Sequence, residues 1–123
     1  MSEQARRICN DVRRLVRYKA DKPGNDIWQS PATTERLRVG DCEDFAILTL
    51  SRCRKAKIPA RMVICWNPKS AHAVVAGDGW FGSNGVYERT RNLAESVRRQ
   101  LQWRSIKTMD VSPAMLRRKG VRL

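Results

Sequence analysis

The sequence predicts an α+β fold: one compact domain over residues 1–123, with N-terminal helices packed on a small antiparallel sheet. Three observations carry that expectation. Apolar residues recur at helical spacing near the N-terminus and again after Asp41. Between residues 60 and 84 the pattern changes to β-forming runs separated by turn residues. A length of 123 residues suits a single domain, and a chain of this size buries roughly two-thirds of the surface its unfolded form exposes.

The elements follow in order. Residues 2–21 read as an opening helix with Ser2 as N-cap, because Ile8, Val12 and Leu15, flanked by Cys9 and Val16, fall on one stripe. Lys22-Pro23-Gly24-Asn25 should end it. Residues 25–40 read as a loop with one short helical turn around Thr34–Leu37. A second helix starts at Asp41-Cys42 and runs to about Lys57. Asp41 is a natural N-cap, and Asp44 in the first turn suits the positive end of the helix dipole. Ala60–Trp66 reads as a strand, followed by a turn at Asn67-Pro68-Lys69. Residues 70–76 and 79–84 make a hairpin around Gly77-Asp78-Gly79. Arg89–Trp103 reads as a third helix, amphipathic through Leu93, Val97 and Leu101. Residues 105–109 form a short strand, and a basic tail of about residues 111–123 closes the chain.

Composition bounds the function. The apolar fraction is 41%, which argues against disorder. The longest apolar runs are a few residues, well short of the ~20 that a membrane-spanning helix needs. The N-terminus lacks the apolar stretch of a signal peptide, so a cytoplasmic protein is expected. Four cysteines (Cys9, Cys42, Cys53, Cys65) form no CxxC pair, and there is one histidine. A disulfide framework or zinc site is therefore not expected. With 25 Lys+Arg against 12 Asp+Glu, the net charge is +13, which points to nucleic acid, an acidic partner or an anionic surface without choosing among them.

Cys42 and His72 carry the chemistry. Cys42 falls in the first turn of a predicted helix, where unpaired N–H groups and the dipole favour a thiolate. It stands among Asp41, Glu43 and Asp44, a polar setting that core packing does not require. His72 lies on a strand, in Ala71-His72-Ala73-Val74. A helix-start cysteine followed about thirty residues later by a strand histidine is the nucleophile–base arrangement of papain-like and transglutaminase-like enzymes.

Four stretches, in order, resemble the bacterial transglutaminase-like cysteine proteinase family: Asn25-Asp26-Ile27-Trp28-Gln29-Ser30-Pro31, Gly40-Asp41-Cys42-Glu43-Asp44-Phe45-Ala46, Lys57-Ile58-Pro59-Ala60 and Ala71-His72-Ala73-Val74. The resemblance covers about residues 5–85, and its most specific part is Gly40–Ala46. It implies a papain-like core with a Cys–His–Asp site, thiol protease activity, and calcium in the best-known members, which are periplasmic and cleave surface adhesins.

The third site member departs from the family. Where an Asp is expected to orient the histidine, the sequence reads Trp80-Phe81-Gly82-Ser83-Asn84. Strand register decides between the last two, because a slip of one residue moves every side chain to the other face. A two-residue Asp78-Gly79 turn places Ser83 diagonally beside His72, whereas a three-residue Gly77–Gly79 loop pairs His72 with Asn84. Chemistry favours Asn84, since Cys–His–Asn sites work in papain-like proteases. Asp78 is too distant, about 20 Å along the strand. Without the Asp, reduced or lost activity stays open.

By the same resemblance, Asp41 and Glu43 match calcium-binding positions, although two carboxylates need further oxygens to complete six to eight ligands; otherwise they are a cap and a solvated acid. No cofactor is required by the chemistry itself. Trp28 is either core or an indole N–H near the oxyanion, with the Cys42 backbone N–H as the other donor. Arg13, Arg14, Arg17, Arg98 and Arg99 are the expected docking arginines for a protein substrate or an acidic host protein. Nucleic acid is the second choice, since no stacking ladder accompanies the charge, and no membrane partner is expected. The reading is a cysteine-dependent peptidase or amidase, with acyl transfer open, in a small phage or mobile-element version acting inside a bacterial cell. The alternative is a catalytically weak fold that binds a host protein.

Overall fold

The computed structural model describes residues 2–20 and 27–123. In chain order these residues form α1 (Ser2–Leu15), β1 (Arg17–Tyr18), α2 (Pro31–Leu37), β2 (Val39–Gly40), α3 (Cys42–Lys55) and β3 (Arg61–Trp66). There follow β4 (Ala71–Gly77), β5 (Trp80–Ser83), β6 (Val86–Arg89), α4 (Leu93–Leu101), β7 (Lys107–Val111) and α5 (Pro113–Arg118). Five strands make one antiparallel sheet in the order β6-β5-β4-β3-β7. No helix among the described residues is long and apolar enough to cross a membrane.

Strand alternation splits the core in two. Met62, Ala73 and Val75 face one side, where Ala5 and Cys9 of α1, Ala46, Ile47 and Leu50 of α3, and Leu116 of α5 cover them. Val63, Cys65, Val74, Ala76 and Phe81 face the other, under Val97 of α4. The period of two along each strand thus feeds both layers.

Helix α1 stops at Leu15 rather than continuing to residue 21. The chain turns instead to pair Arg17–Tyr18 in parallel with Val39–Gly40, and that ladder buries Val16. Ser2's expected capping side chain and the breakers Lys22–Asn25 lie outside the described residues. The expected loop before Asp41 contains a full helix, α2, opened by the Ser30 side chain accepting from Thr33 N and by Pro31 at its first turn, and closed by Arg38 in the left-handed region.

Helix α3 opens with a reciprocal capping box. Asp41 accepts from the Asp44 N–H at 3.2 Å, and Asp44 accepts from the Asp41 N–H at 3.0 Å. Gly40 is needed beside it, because a Cβ there would stand 2.6 Å from Asp44 Cβ. The β4–β5 connection is the two-residue turn Asp78-Gly79, with Gly77 opposite Trp80. A second hairpin joins β5 to β6 through Asn84 (φ 49°) and Gly85 (φ 81°), the backbone that an Asn-Gly pair favours.

Three boundaries shift accordingly. Residues 86–89 are strand β6, so α4 starts only after the Asn92 cap and not at Arg89. The last strand is Lys107–Val111 rather than 105–109. The basic tail is not a tail: Pro113–Arg118 is helical, and Leu116 and Val121 are buried.

Candidate active site

The site forms where α3 begins and β5 ends. Strand β5 pairs with β4 only at Val75, Ala76 and Gly77, so the first half of β4 has no strand on that side. Cys42 takes the space. The backbone N–H of Ala73 reaches its sulfur, as does the N–H of Glu43. The sequence therefore puts the thiol beside the residue that follows His72 by letting β5 turn away at Asn84.

His72 is half-buried, and its Nε2 lies 2.8 Å from Ser83 Oγ. Both side chains share the sheet face of Val74, as the two-residue turn requires. Asn84, chemically the favoured orienter, is not the partner. It occupies the left-handed position of the next turn, and its buried Oδ1 has no hydrogen bond among the described residues. Turn length overrides side-chain aptitude here.

The electrostatics also correct the thiolate expectation. Burial first, then the Glu43 and Asp41 carboxylates, push the Cys42 thiol up to about 12, against the downward pull of the Ala73 and Glu43 N–H groups. Burial holds the His72 imidazole below its ordinary range. Burial thus holds both the Cys42 thiol and the His72 imidazole toward their neutral forms. Cys9, Cys53 and Cys65 are buried free thiols, so Cys42 is the one cysteine that solvent partly reaches.

Asp44 builds the wall behind the site. This buried carboxylate accepts from Gln29 N at 2.8 Å, Gln29 Nε2 at 2.9 Å and Asp41 N at 3.0 Å. It ties the Trp28-Gln29 segment to the first turn of α3. Trp28 is buried, its Nε1 has no partner among the described residues, and Lys119 Nζ lies 5.1 Å over its ring. Lys119 carries no sequence signal as a site neighbour, since it comes from the far end of the chain, and Gln29, although part of the Trp28–Pro31 stretch, was given no role of its own.

Among the described residues, the Asp41 and Glu43 carboxylates alone do not complete a calcium shell, which would need further oxygens. One oxygen of Asp41 caps α3, both oxygens of Asp44 are engaged, and Glu43 remains. Among the described residues no three His, Cys, Asp or Glu side chains are placed to hold a metal. Asp41 and Glu43 do not approach the six to eight oxygens calcium takes. The expected docking arginines also separate: Arg98 is bidentate on Glu95 at 2.9 and 2.6 Å, with Arg99 3.9 Å from the same carboxylate, whereas Arg13 and Arg17 make no such ion pair among the described residues.

The family model of the transglutaminase-like superfamily matches residues 1–87. The chain belongs to that superfamily. No curated protein matches this transglutaminase-like chain. Among solved structures, calcium-bound LapG of Legionella pneumophila is similar with a TM-score of 0.65 and 19% identity, over 89% of this chain and 62% of LapG. EGTA-treated LapG gives 0.61 and 19%, over 72% and 56%. A candidate cysteine protease from Cytophaga hutchinsonii gives 0.56 and 21%, over 89% of this chain and 40% of that one. At these identities the likeness is one of fold, and the transglutaminase-like chain spans 56% to 62% of LapG's length.

Proposed function

We propose that the chain is a cysteine-dependent peptidase or amidase, with Cys42 as nucleophile, His72 as general base and then acid, and Ser83 as the residue that positions the imidazole. The observation that carries this reading is the 2.8 Å contact between His72 Nε2 and Ser83 Oγ. In the neutral ring, Nε2–H donating to the hydroxyl leaves the Nδ1 lone pair for the thiol proton.

In the first step Nδ1 takes the proton of Cys42 while the sulfur bonds to the substrate carbonyl carbon and the π pair moves onto oxygen. The Cys42 backbone N–H and the unpartnered Trp28 indole N–H are the available donors for that oxyanion. As the intermediate collapses, the carbon–nitrogen bond breaks and the leaving amine takes the proton from Nδ1. Water then attacks the thioester with Nδ1 again accepting a proton, and the acid and the free thiol are released. An amine in place of that water would give transfer instead.

Because thiol and imidazole rest neutral, proton transfer has to accompany attack, and a low turnover is expected. A hydroxyl also stabilises imidazolium less than a carboxylate does. These two features favour a second reading, in which the chain is a weakly catalytic fold that binds a protein partner.

Iodoacetamide labelling with peptide mapping tests the first reading. Cys42 should be alkylated before Cys9, Cys53 and Cys65, and His72→Ala should slow it about tenfold. Wild-type chain should release peptides from denatured casein, and Cys42→Ala should not. An unchanged alkylation rate in His72→Ala, together with no casein turnover, would leave the binding reading.

A further inference from the structure

A cavity of about 570 Å³ opens at the end of β4 away from His72. Gly77, on its wall, stands about 17 Å along the strand from His72, so the cavity is separate from the candidate active site. Its apolar lining comes from Pro59 and Ala60 ahead of β3, Ala76 of β4 and Leu93 at the start of α4. Ala76 and Leu93 belong to the core cluster under α4, which roots that lining in the fold. Gly77 leaves no room for a side chain, because a Cβ there would overlap the Trp80 indole. The Thr90 N–H donates to Gly79 O at 2.9 Å and joins the β4–β5 turn to the segment before α4. A volume of this size is in the range of small-molecule sites.

Arg61, Arg91 and Asp78 line the same cavity. Asp78 forms no ion pair among the described residues, with these arginines or with any other group, and Arg91 likewise has no acid beside it. Arg61 has Asp110 at 3.3 Å, both side chains well exposed, and such a pair holds weakly. The cavity therefore presents two guanidinium groups and a carboxylate that do not neutralise one another, around an apolar lining. Inorganic phosphate would meet the Asp78 charge and leave the apolar lining uncovered. A fatty acid would leave Asp78 without a counter-charge, and an amine would do the same to the arginines. An apolar peptide with both ends free meets all three. Its carboxylate suits the guanidinium forks, its ammonium suits Asp78, and its side chains cover the apolar lining. A single amino acid carries both charges on one carbon. A dipeptide separates them by up to about 7 Å, which suits opposite charges that line one cavity without touching.

We propose that this cavity binds a short apolar peptide of two or three residues by its free termini, the carboxylate on Arg61 and Arg91 and the ammonium on Asp78. The binding is non-covalent and does not depend on whether Cys42 is catalytic.

Titration of the isotopically labelled full chain with dileucine, followed by NMR through its amide resonances, tests it. Shifts should centre on Gly77, Gly79 and Arg91. Diglycine, N-acetyl-dileucine and dileucine amide should each bind at least about threefold more weakly than dileucine. Asp78→Asn, which keeps a residue the turn accepts, should erase the difference between dileucine and its N-acetyl form and preserve the difference from the amide. Arg61→Gln with Arg91→Gln should do the reverse. Shifts centred on Cys42, His72 and Ser83 would put the peptide in the candidate active site and overturn the proposal. Equal affinity for all four peptides, no binding of any, or differences that neither variant changes would each overturn it too.

Discussion

In the proposed mechanism, Ser83 is the residue on which the chemistry turns. Its hydroxyl orients His72 without adding the negative charge that would stabilise imidazolium. Ser83→Asp should therefore raise the His72 pKa and increase the neutral-pH alkylation rate of Cys42 by at least about tenfold. Ser83→Ala should lower that rate. Titration of the His72 ring by NMR checks the first, and an unmoved pKa in Ser83→Asp would sink it. His72 also makes stability depend on pH. Burial depresses its pKa below the ordinary 6.5, so the unfolded chain binds this proton more readily than the native one does. The neutral ring's contribution is complete above about pH 6.5 and is lost as pH falls below it. Melting at pH 7.5 and 5.5 should show a larger drop for wild type than for His72→Gln; equal drops would refute the assignment. The placement of Cys42 at a helix start and of His72 on a strand was legible in the sequence because both are local properties. The neutral state of the pair was not, since burial depends on what packs around it.

Among the elements, the opening of α3 is fixed by a reciprocal capping box and by Asp44. Asp44 is 1% exposed; two of its three accepted hydrogen bonds come from Gln29, fifteen residues away, and the third from the Asp41 N–H. Asp44→Ala leaves the Gln29 and Asp41 N–H groups unpaired and should cost about 2–4 kcal/mol, measured by urea unfolding. The same variant should loosen the Trp28 wall and reduce any turnover. A loss under about 1 kcal/mol would show that the segments are held by other contacts. Sequence patterning found α3, β3 and β4 because their apolar periods are strong. It missed β1 and β2, whose two-residue parallel ladder rests on partners from distant parts of the chain. It also read through Asn84-Gly85, although that pair is a hairpin signal, and so missed β6 and started the following helix at Arg89, the last residue of that strand. Helix α2 was legible only as a single turn, despite Ser30 and Pro31 standing at its start.

At the scale of the whole molecule, the superfamily match ends at residue 87, yet the remaining residues are structural. Strand β7 completes the sheet beside β3, and Leu116 and Val121 enter the core that holds Trp28. Deleting residues 112–123 removes Leu116 and Val121, uncovers the core surface they pack against, and should cost about 3–6 kcal/mol, read as a lowered melting temperature. A melting temperature equal to wild type would show that α5 is dispensable. Net charge read from composition pointed toward a polyanion and gave no location, because it does not record which arginines already have acids beside them. The turn Asp78-Gly79 has a consequence for relatives of this chain. Inserting or deleting one residue there would keep every side chain of the site in the sequence and still swap which of Ser83 and Asn84 stands on the His72 face. Where relatives are aligned, a gap at this turn therefore marks a change of chemistry that a comparison of the aligned residues alone would miss.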